Sequence, residues 1–284
     1  MAKKSKGNQR PLPELYKYGG PCKNISAKVL RCNAMKAEDL LYEDLAAPYW
    51  RFYWNEQNGA HFVVRDQIVE MRPDKFYLIA PETHYAAKGK GYFDHFYIHF
   101  SVDEPYNYFE DVFFEIDADS AHCILAAKAL KKMLRRGSTP PSPTLMMHYY
   151  TLIFYALSDL PEDLIAELPH DERLSWVIRY MEGNLKSKLS TEELSKVANM
   201  SPKSLFRLFN NQLGVSPQDY FKKLKIKQAC FYLHYSQLNI EEIADELGFS
   251  SRYHFTRVFS SIRKIPPAAF RKIGNSYYNA IKRI

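Results

Sequence analysis

Apolar and polar residues alternate over the first part of the chain, through about residue 118. The alternating runs are short, aromatic and β-branched, and Pro, Gly or Asp residues separate them. They read YWRFYWN (49–55), AHFVVRD (60–66), FYLIA (76–80) and DHFYIHF (94–100). A period of two over a few residues is typical of β-strands. Several short strands with turn signals between them predict a small barrel or sandwich.

The period becomes helical from residue 120 onward. Residues 120–136 and 144–160 predict two helices, with the loop GSTPPSP (137–143) between them. Both helices are more apolar than a solvated helix requires, so we expect them to pack on the strands or to pair between subunits. The stretch 161–172 contains two prolines and is the best linker candidate, and helical periodicity dominates after it.

A repeated unit begins in LSTEELSKVANMSPKSLFRLFNNQLGVSP, residues 189–217. Ser190 and Glu193 have the spacing of a helix capping box. Ser201 and Pro202 can start a second helix, and Gly214 can end it. The apolar side of that second helix comprises Leu205, Leu208, Phe209 and Leu213. The pattern predicts two short helices joined by a tight turn, which is a helix–turn–helix.

The same unit recurs in residues 238–267. Asn239 and Glu242 repeat the capping box, and Gly248 supplies the turn. The apolar side of the second helix comprises Phe255, Val258, Phe259 and Ile262. A single copy could be an ordinary helical hairpin, but two copies in one half of a chain favour DNA binding.

Charge is divided unequally between the two halves. Residues 1–168 hold 20 Lys and Arg against 22 Asp and Glu, whereas residues 169–284 hold 19 against 10. The second half therefore has a net charge of +9, which suits a polyanionic partner, although a solvated basic surface is the alternative. Between the two units, residues 216–236 predict a helix of about 27 Å, which could set two recognition helices about one DNA turn apart.

Residues 173–274 resemble the DNA-binding domain of the AraC/XylS family of bacterial transcriptional regulators. The resemblance rests on SPKSLFRLFNNQLGVSP (201–217) and on ELGFSSRYHFTRVFSSIRKIPPAAFR (246–271). The N-terminal half is similar to the cupin-like sensor domain of many members, through DKFYLIAPETHY (74–85). Two positions depart from the family pattern: Lys225 stands where Arg is common, and Lys264 matches Gly214 of the first unit.

The resemblance implies an α+β chain of two domains. A β-rich, cupin-like barrel with helices would sense a ligand, and an all-α domain of two helix–turn–helix units joined by a linker helix would bind DNA. The expected divisions are a sensing and dimerisation domain over 1–165, a linker over 166–172, the DNA-binding domain over 173–274 and a tail over 275–284.

The polar face of each recognition helix provides the candidate DNA-reading residues. They are Lys203, Phe206, Arg207, Asn210, Arg252, Tyr253, Thr256 and Arg257. Arg207 and Arg257 can each bind guanine O6 and N7 with two hydrogen bonds, unless they pair with acidic residues of their own domain. Phe206 could contact a thymine methyl group or pack against the sensor domain. Ser204, His254, Lys222 and Lys223 are candidates for phosphate contacts.

The β-rich half provides the candidate ligand-binding residues. They are Trp50, Arg51, Trp54, His84, His95, Tyr97 and His99. Aromatic planes and a guanidinium suit a sugar or a small carboxylate, and the alternative is that these residues are simply core and surface. Metal-binding cupins use an H-x-H motif, which this chain lacks. We therefore expect no metal, no cofactor and no catalytic residues.

The four cysteines form no C-x-x-C pair, and the basic start MAKKSKGNQR is not a secretory signal. These features predict a cytoplasmic protein without a membrane segment. We expect a non-enzymatic, sequence-specific transcriptional regulator, with activation favoured over repression. Its expected partners are double-stranded DNA, a small-molecule effector such as a sugar, a second copy bound through the N-terminal domain, and RNA polymerase. The alternatives are a metal-dependent cupin enzyme fused to a DNA-binding domain and a ligand-independent DNA-binding protein.

Overall fold

The computed structural model describes residues 25–38, 41–42, 46–119, 121–135, 142–166 and 171–273. The predicted tail, 275–284, lies outside the described residues, as do positions 167–170 of the predicted linker.

The N-terminal half consists of two antiparallel sheets. The strands are β1 (Ala27–Glu38), β2 (Leu41–Tyr42), β3 (Trp50–Trp54), β4 (Ala60–Val64), β5 (Gln67–Glu70), β6 (Lys75–Ile79), β7 (Tyr85–Gly89), β8 (Tyr92–Val102) and β9 (Phe113–Asp117). One sheet has the order β1-β8-β3-β6-β9, and the other has the order β2-β7-β4-β5. The four predicted strands correspond to β3, β4, β6 and β8, and the β-rich fold class of this half is confirmed.

The five-stranded sheet is buried on both faces, which explains why β3 is buried at every position. Trp50, Phe52 and Trp54 point to one face, where they join a core with the helices α1 (Ala121–Arg135) and α2 (Pro143–Ser158). Tyr53 points to the other face and packs with Phe62 of the second sheet, with ring centroids 5.4 Å apart. The two apolar helices therefore pack on the sheet of their own chain.

The C-terminal half is entirely helical among its described residues. Its helices are α4 (Glu172–Gly183), α5 (Thr191–Val197), α6 (Pro202–Leu213), α7 (Pro217–Tyr235), α8 (Ile240–Glu246) and α9 (Arg252–Arg263), and the short α3 (Glu162–Ala166) precedes them. Both predicted capping boxes form, at Ser190 with Glu193 and at Asn239 with Glu242. Such caps contribute about 1 kcal/mol each, so local sequence defines where these helices begin.

Each helix–turn–helix unit has its own core. Leu205 and Phe209 of α6 pack with residues of α4, and Phe255 and Phe259 of α9 pack with residues of α7. Lys225 of α7 connects the two units: its Nζ donates to the carbonyl oxygens of Ser187 at 3.1 Å and Leu247 at 2.9 Å. Lys225 therefore joins the loop before the first unit to the turn of the second.

The two recognition helices end in the same way despite their different residues. Gly214 follows α6 with φ 67°, and Lys264 follows α9 with φ 61°. A left-handed conformation costs a residue with a Cβ about 1–2 kcal/mol. Of the two alternatives that the sequence leaves open, a different helix end or tolerated strain, the structure has the strain: α9 ends at Lys264 in the left-handed conformation.

Candidate functional site

The outward faces of α6 and α9 are polar and basic. Lys203, Arg207 and Asn210 on α6 are exposed, as are Arg252 and Arg257 on α9, whereas Thr256 is half-buried. Two aromatic side chains stand among them: Phe206 is 51% exposed and Tyr253 is 86% exposed. Large aromatic groups usually lie inside a folded protein. Exposed aromatic side chains among basic ones are typical of a surface that binds nucleic acid.

The arginines of these faces are not occupied by the domain itself. Within the described part of the chain, neither Arg207 nor Arg257 forms an ion pair or side-chain hydrogen bond. No described residue engages the donors of their guanidinium groups. The alternative that each is neutralised by its own domain therefore finds no support in the structure.

The four candidates for phosphate contacts have different surroundings. Ser204 and His254 lie in the first turn of α6 and α9, and their backbone N–H groups donate to Ser201 and Ser251. Lys222 is exposed and pairs with Asp219 at 2.9 Å. Lys223 lines a cleft together with Glu110 of the N-terminal half, a neighbour that the sequence did not predict.

A cavity of about 250 Å³ lies where the N-terminal sheets meet the second helix–turn–helix unit. The N-terminal half contributes Tyr49, Arg51, His84 and His99 to its lining, and the C-terminal half contributes His234, Ile265 and Phe270. The sequence did not predict a cavity between the halves, because its two walls are more than a hundred residues apart along the chain.

Only part of the predicted ligand-binding set lines this cavity. Arg51, His84 and His99 line it, whereas His95 and Tyr97 lie further along the same face of β8, in ring contact with each other. Trp50 and Trp54 need correction, because they lie on the opposite face of β3. Their Nε1 atoms donate to the carbonyl oxygens of Tyr106 and Pro73, so both act as core residues.

Arg51 is the most unusual residue of the cavity. Its side chain is only 3% exposed, and its Nη1 has no hydrogen-bond partner among the described residues. The guanidinium carbon lies 5.4 Å from the centre of the Tyr49 ring and 5.0 Å from that of Tyr85. These cation–π contacts hold the guanidinium in place without neutralising its charge.

The cavity is bordered by hydrogen bonds between the two halves. Tyr49 Oη and His234 Nδ1 are 3.0 Å apart, and His99 Nδ1 and Tyr235 Oη are also 3.0 Å apart. Burial, aided by the nearby Arg51, lowers the pKa of His234 to about 3 and lowers that of His99 well below its usual value. Both imidazoles are therefore neutral at pH 7, and each ring can donate at one nitrogen and accept at the other.

A third contact fixes the end of α9 to the N-terminal half. Arg263, the last residue of α9, forms an ion pair with Glu82 and donates from Nη2 to the carbonyl oxygen of Ala46 at 3.0 Å. Glu82 also lines the cavity. The wall of the cavity is thus mechanically connected to the second recognition helix.

Across the described ranges, no group of three or more His, Cys, Asp or Glu side chains is placed to hold a metal ion. None of the helices in those ranges combines the length and the apolar character needed to cross a bilayer.

Known proteins resemble both halves to different degrees. Residues 194–273 match a family model described as a helix-turn-helix domain. The transcriptional activator RhaS of Mannheimia succiniciproducens is 32% identical over 101 residues, which cover 36% of this chain and 38% of RhaS. The regulator GbdR of Pseudomonas aeruginosa is 34% identical over 95 residues, covering 34% of this chain and 26% of GbdR. The chain thus spans less than half the length of these curated relatives.

The whole architecture resembles a solved structure. ToxT of Vibrio cholerae is 11% identical, with a TM-score of 0.52 over 86% of this chain and 97% of ToxT. At that identity the likeness shows the fold, a β-rich N-terminal half followed by paired helix–turn–helix units. The match of residues 194–273 and the similarity to RhaS and GbdR confirm that the C-terminal half resembles the DNA-binding domain of the AraC/XylS family.

Proposed function

We propose that the chain binds double-stranded DNA sequence-specifically and regulates transcription, with α6 and α9 entering successive major grooves of one DNA molecule. The observation that carries this proposal is the pair of exposed, basic, aromatic faces on two helices whose opposite sides are buried. The helix α7 has 19 residues, which is about 28 Å at 1.5 Å per residue. A rod of that length suits the roughly 34 Å between neighbouring major grooves.

The N-terminal half would control DNA binding through a small molecule in the 250 Å³ cavity. A buried arginine, two neutral histidines and aromatic rings provide a small number of polar groups in an otherwise apolar setting, as ligand sites do. The prediction that the ligand is a sugar is weakened, because Trp50 and Trp54 face away from the cavity. Among similar structures, ToxT has been solved with an unsaturated fatty acid bound.

The chain would act in the cytoplasm without enzymatic activity, and activation would require contact with RNA polymerase. Its curated relatives are named as regulators, which supports a non-enzymatic role. The possibility of a metal-dependent enzyme has no described group of metal ligands behind it.

A homodimer would double the DNA footprint and is proposed to form through the outer faces of α1 and α2. Leu125 of α1 is 64% exposed and Met147 of α2 is 67% exposed, and Phe154 of α2 is also exposed. Leu125→Glu with Met147→Glu should therefore shift the chain from dimer to monomer in sedimentation equilibrium. Ile68→Glu, at an equally exposed position on β5, should leave the dimer intact. A parent chain that is monomeric at all concentrations would contradict the proposal.

DNA affinity should depend steeply on salt, because a protein that neutralises phosphates releases counterions. The logarithm of the association constant should fall linearly with the logarithm of salt concentration, by about 0.9 per phosphate contacted. Fluorescence anisotropy with the full chain and a selected DNA site measures this slope. Lys222→Ala should make the slope shallower by about one unit. A slope near zero would show that the basic half does not contact the DNA backbone.

A further inference from the structure

The cavity between the two halves contains a positive charge that the described residues leave uncompensated. Arg51 is almost completely buried, its Nη1 is without a hydrogen bond, and no described carboxylate pairs with it. An uncompensated buried charge is costly, and buried charges are ordinarily paired. The rings of Tyr49 and Tyr85 offset only part of that cost, so the site is prepared for an anion that the described residues do not provide.

The other charged residues of the lining also favour an anionic ligand. Glu82 is the acidic residue of the described lining, and it is already engaged by Arg263. Lys264 adds a further positive charge at the rim. The described lining therefore carries an excess of about two positive charges, from Arg51, Arg263 and Lys264 against Glu82, and it would repel a cation.

The apolar opposite wall and the volume of the cavity limit the chemistry and the size of the rest of the ligand. Ile262, Ile265 and Phe270, which belong to the end of α9 and the segment after it, supply an apolar surface facing the sheet. The volume of about 250 Å³ falls below the roughly 300–1,000 Å³ of sites for drug-sized ligands. A small molecule with one anionic end and an apolar body matches both walls.

We propose that the effector is a small organic acid, with its carboxylate on Arg51 and its apolar body against Ile265 and Phe270. The planar guanidinium matches a carboxylate with two parallel hydrogen bonds, which a neutral hydroxyl group cannot reproduce. The ligand would thereby touch the N-terminal sheet and the segment after α9 at once. This inference rests on the proposed role of the chain as a ligand-responsive DNA-binding regulator, and it specifies the ligand class.

The test compares acids with their neutral amides on the full chain. Isothermal titration calorimetry is run with benzoate against benzamide and with hexanoate against hexanamide. The acids should bind at millimolar concentration or below, and each amide should bind roughly ten- to hundredfold more weakly, because charge-assisted hydrogen bonds are lost. Equal binding of acid and amide, or failure of both acids to bind, overturns the proposal.

Variants locate the site on both walls. Arg51→Gln should weaken the binding of benzoate by roughly ten- to hundredfold, while Arg65→Gln, at an exposed arginine paired with Asp111, should not change it. Since Arg51→Gln could also disturb the fold, Ile265→Trp tests the other wall by filling the cavity. It should abolish binding, whereas Ile68→Trp at an exposed position should not. Unchanged benzoate affinity in folded Arg51→Gln or Ile265→Trp would overturn the site.

The outcome is separable from that of the proposed function. Salt-dependent, sequence-specific DNA binding by a chain that ignores all four probes would leave the regulator standing and remove only the organic acid.

Discussion

Replacing Gly248 by alanine should destabilise the C-terminal half by roughly 2–5 kcal/mol, which is the sum of backbone strain and a steric clash. Gly248 has φ 65°, so any side chain is strained there. A Cβ at this position would lie 1.9 Å from the carbonyl oxygen of Lys186 and 2.8 Å from its carbonyl carbon. These are backbone atoms that cannot rotate away. The turn of the second unit would have to separate from the loop before the first, where Lys225 joins them.

Gly214 provides a matched control for this prediction. It has nearly the same backbone conformation, φ 67°, but a Cβ there would meet nothing within 4 Å. Gly214→Ala should therefore cost only about 1–2 kcal/mol, from strain alone. Lys264→Gly, at the equivalent end of α9, should stabilise by about 0.5–1 kcal/mol, since glycine removes the strain but loses more conformational entropy on folding.

Urea unfolding followed by helical circular dichroism measures all three variants, because most helices belong to the C-terminal half. From the most to the least stable, the order should be Lys264→Gly, the parent chain, Gly214→Ala and Gly248→Ala. If the two alanine variants unfold at the same urea concentration, the close contact between Gly248 and Lys186 is not a determinant of stability.

The helical half could be predicted in detail because its signals are local. The capping boxes, the proline at the first position of α6 and the apolar spacing of each recognition helix all lie within one or two helical turns. The end of α9 could not be predicted in the same way, because Lys264 occupies a position that favours glycine and the sequence leaves open whether the helix ends there. Tertiary packing of Phe255 and Phe259 fixes that helix strongly enough to impose the conformation.

The N-terminal half was less predictable because its contacts are distant along the chain. The alternating pattern predicted β3 but did not indicate which of its faces would meet the helices. Because the sheet is buried on both faces, β3 carries aromatic residues on both faces. Trp50 and Trp54 were therefore assigned to a ligand site together with Arg51, although neighbouring residues in a strand point in opposite directions. The period of two alone separates Trp50 and Trp54 from Arg51.

The cavity illustrates the same limit for a site. Tyr49 and His234 form one of its borders, yet they lie 185 positions apart in the chain. Nothing in the local sequence around His234 distinguishes it from a core residue of α7. The environment of Arg51 could likewise not be predicted, since only the folded structure shows that no carboxylate among the described residues pairs with it.

Arg207→Ala and Arg257→Ala should each weaken binding to the correct DNA site by roughly 1–3 kcal/mol, because each removes a bidentate contact to guanine. Both arginines are exposed and form no ion pair within the described ranges, so their removal breaks no internal contact that would confuse the result. The double variant should lose roughly 2–6 kcal/mol, since sites far apart are additive.

The loss should depend on sequence and on position. Each variant should stop discriminating at its own base pair and should keep full discrimination at the base pair read by the other arginine. Because α7 holds the two units at a fixed separation, the two affected base pairs should lie about 10 base pairs apart, one turn of the double helix. Binding selection from randomised DNA with the parent and each variant identifies these positions.

The Lys222→Ala variant distinguishes the recognition of bases from contact with the DNA backbone. It should weaken all DNA sequences by a similar factor, because a phosphate contact carries no base information. If Arg207→Ala and Arg257→Ala behave in that uniform way, the arginines hold the backbone, and specificity must come from other residues of α6 and α9. If both variants relax the same base pair, α6 and α9 do not read successive grooves. Discrimination lost at two separate base pairs, one helical turn apart, would require both helices to be seated in the major groove at once. That arrangement accounts for a unit built twice on either side of a 19-residue helix.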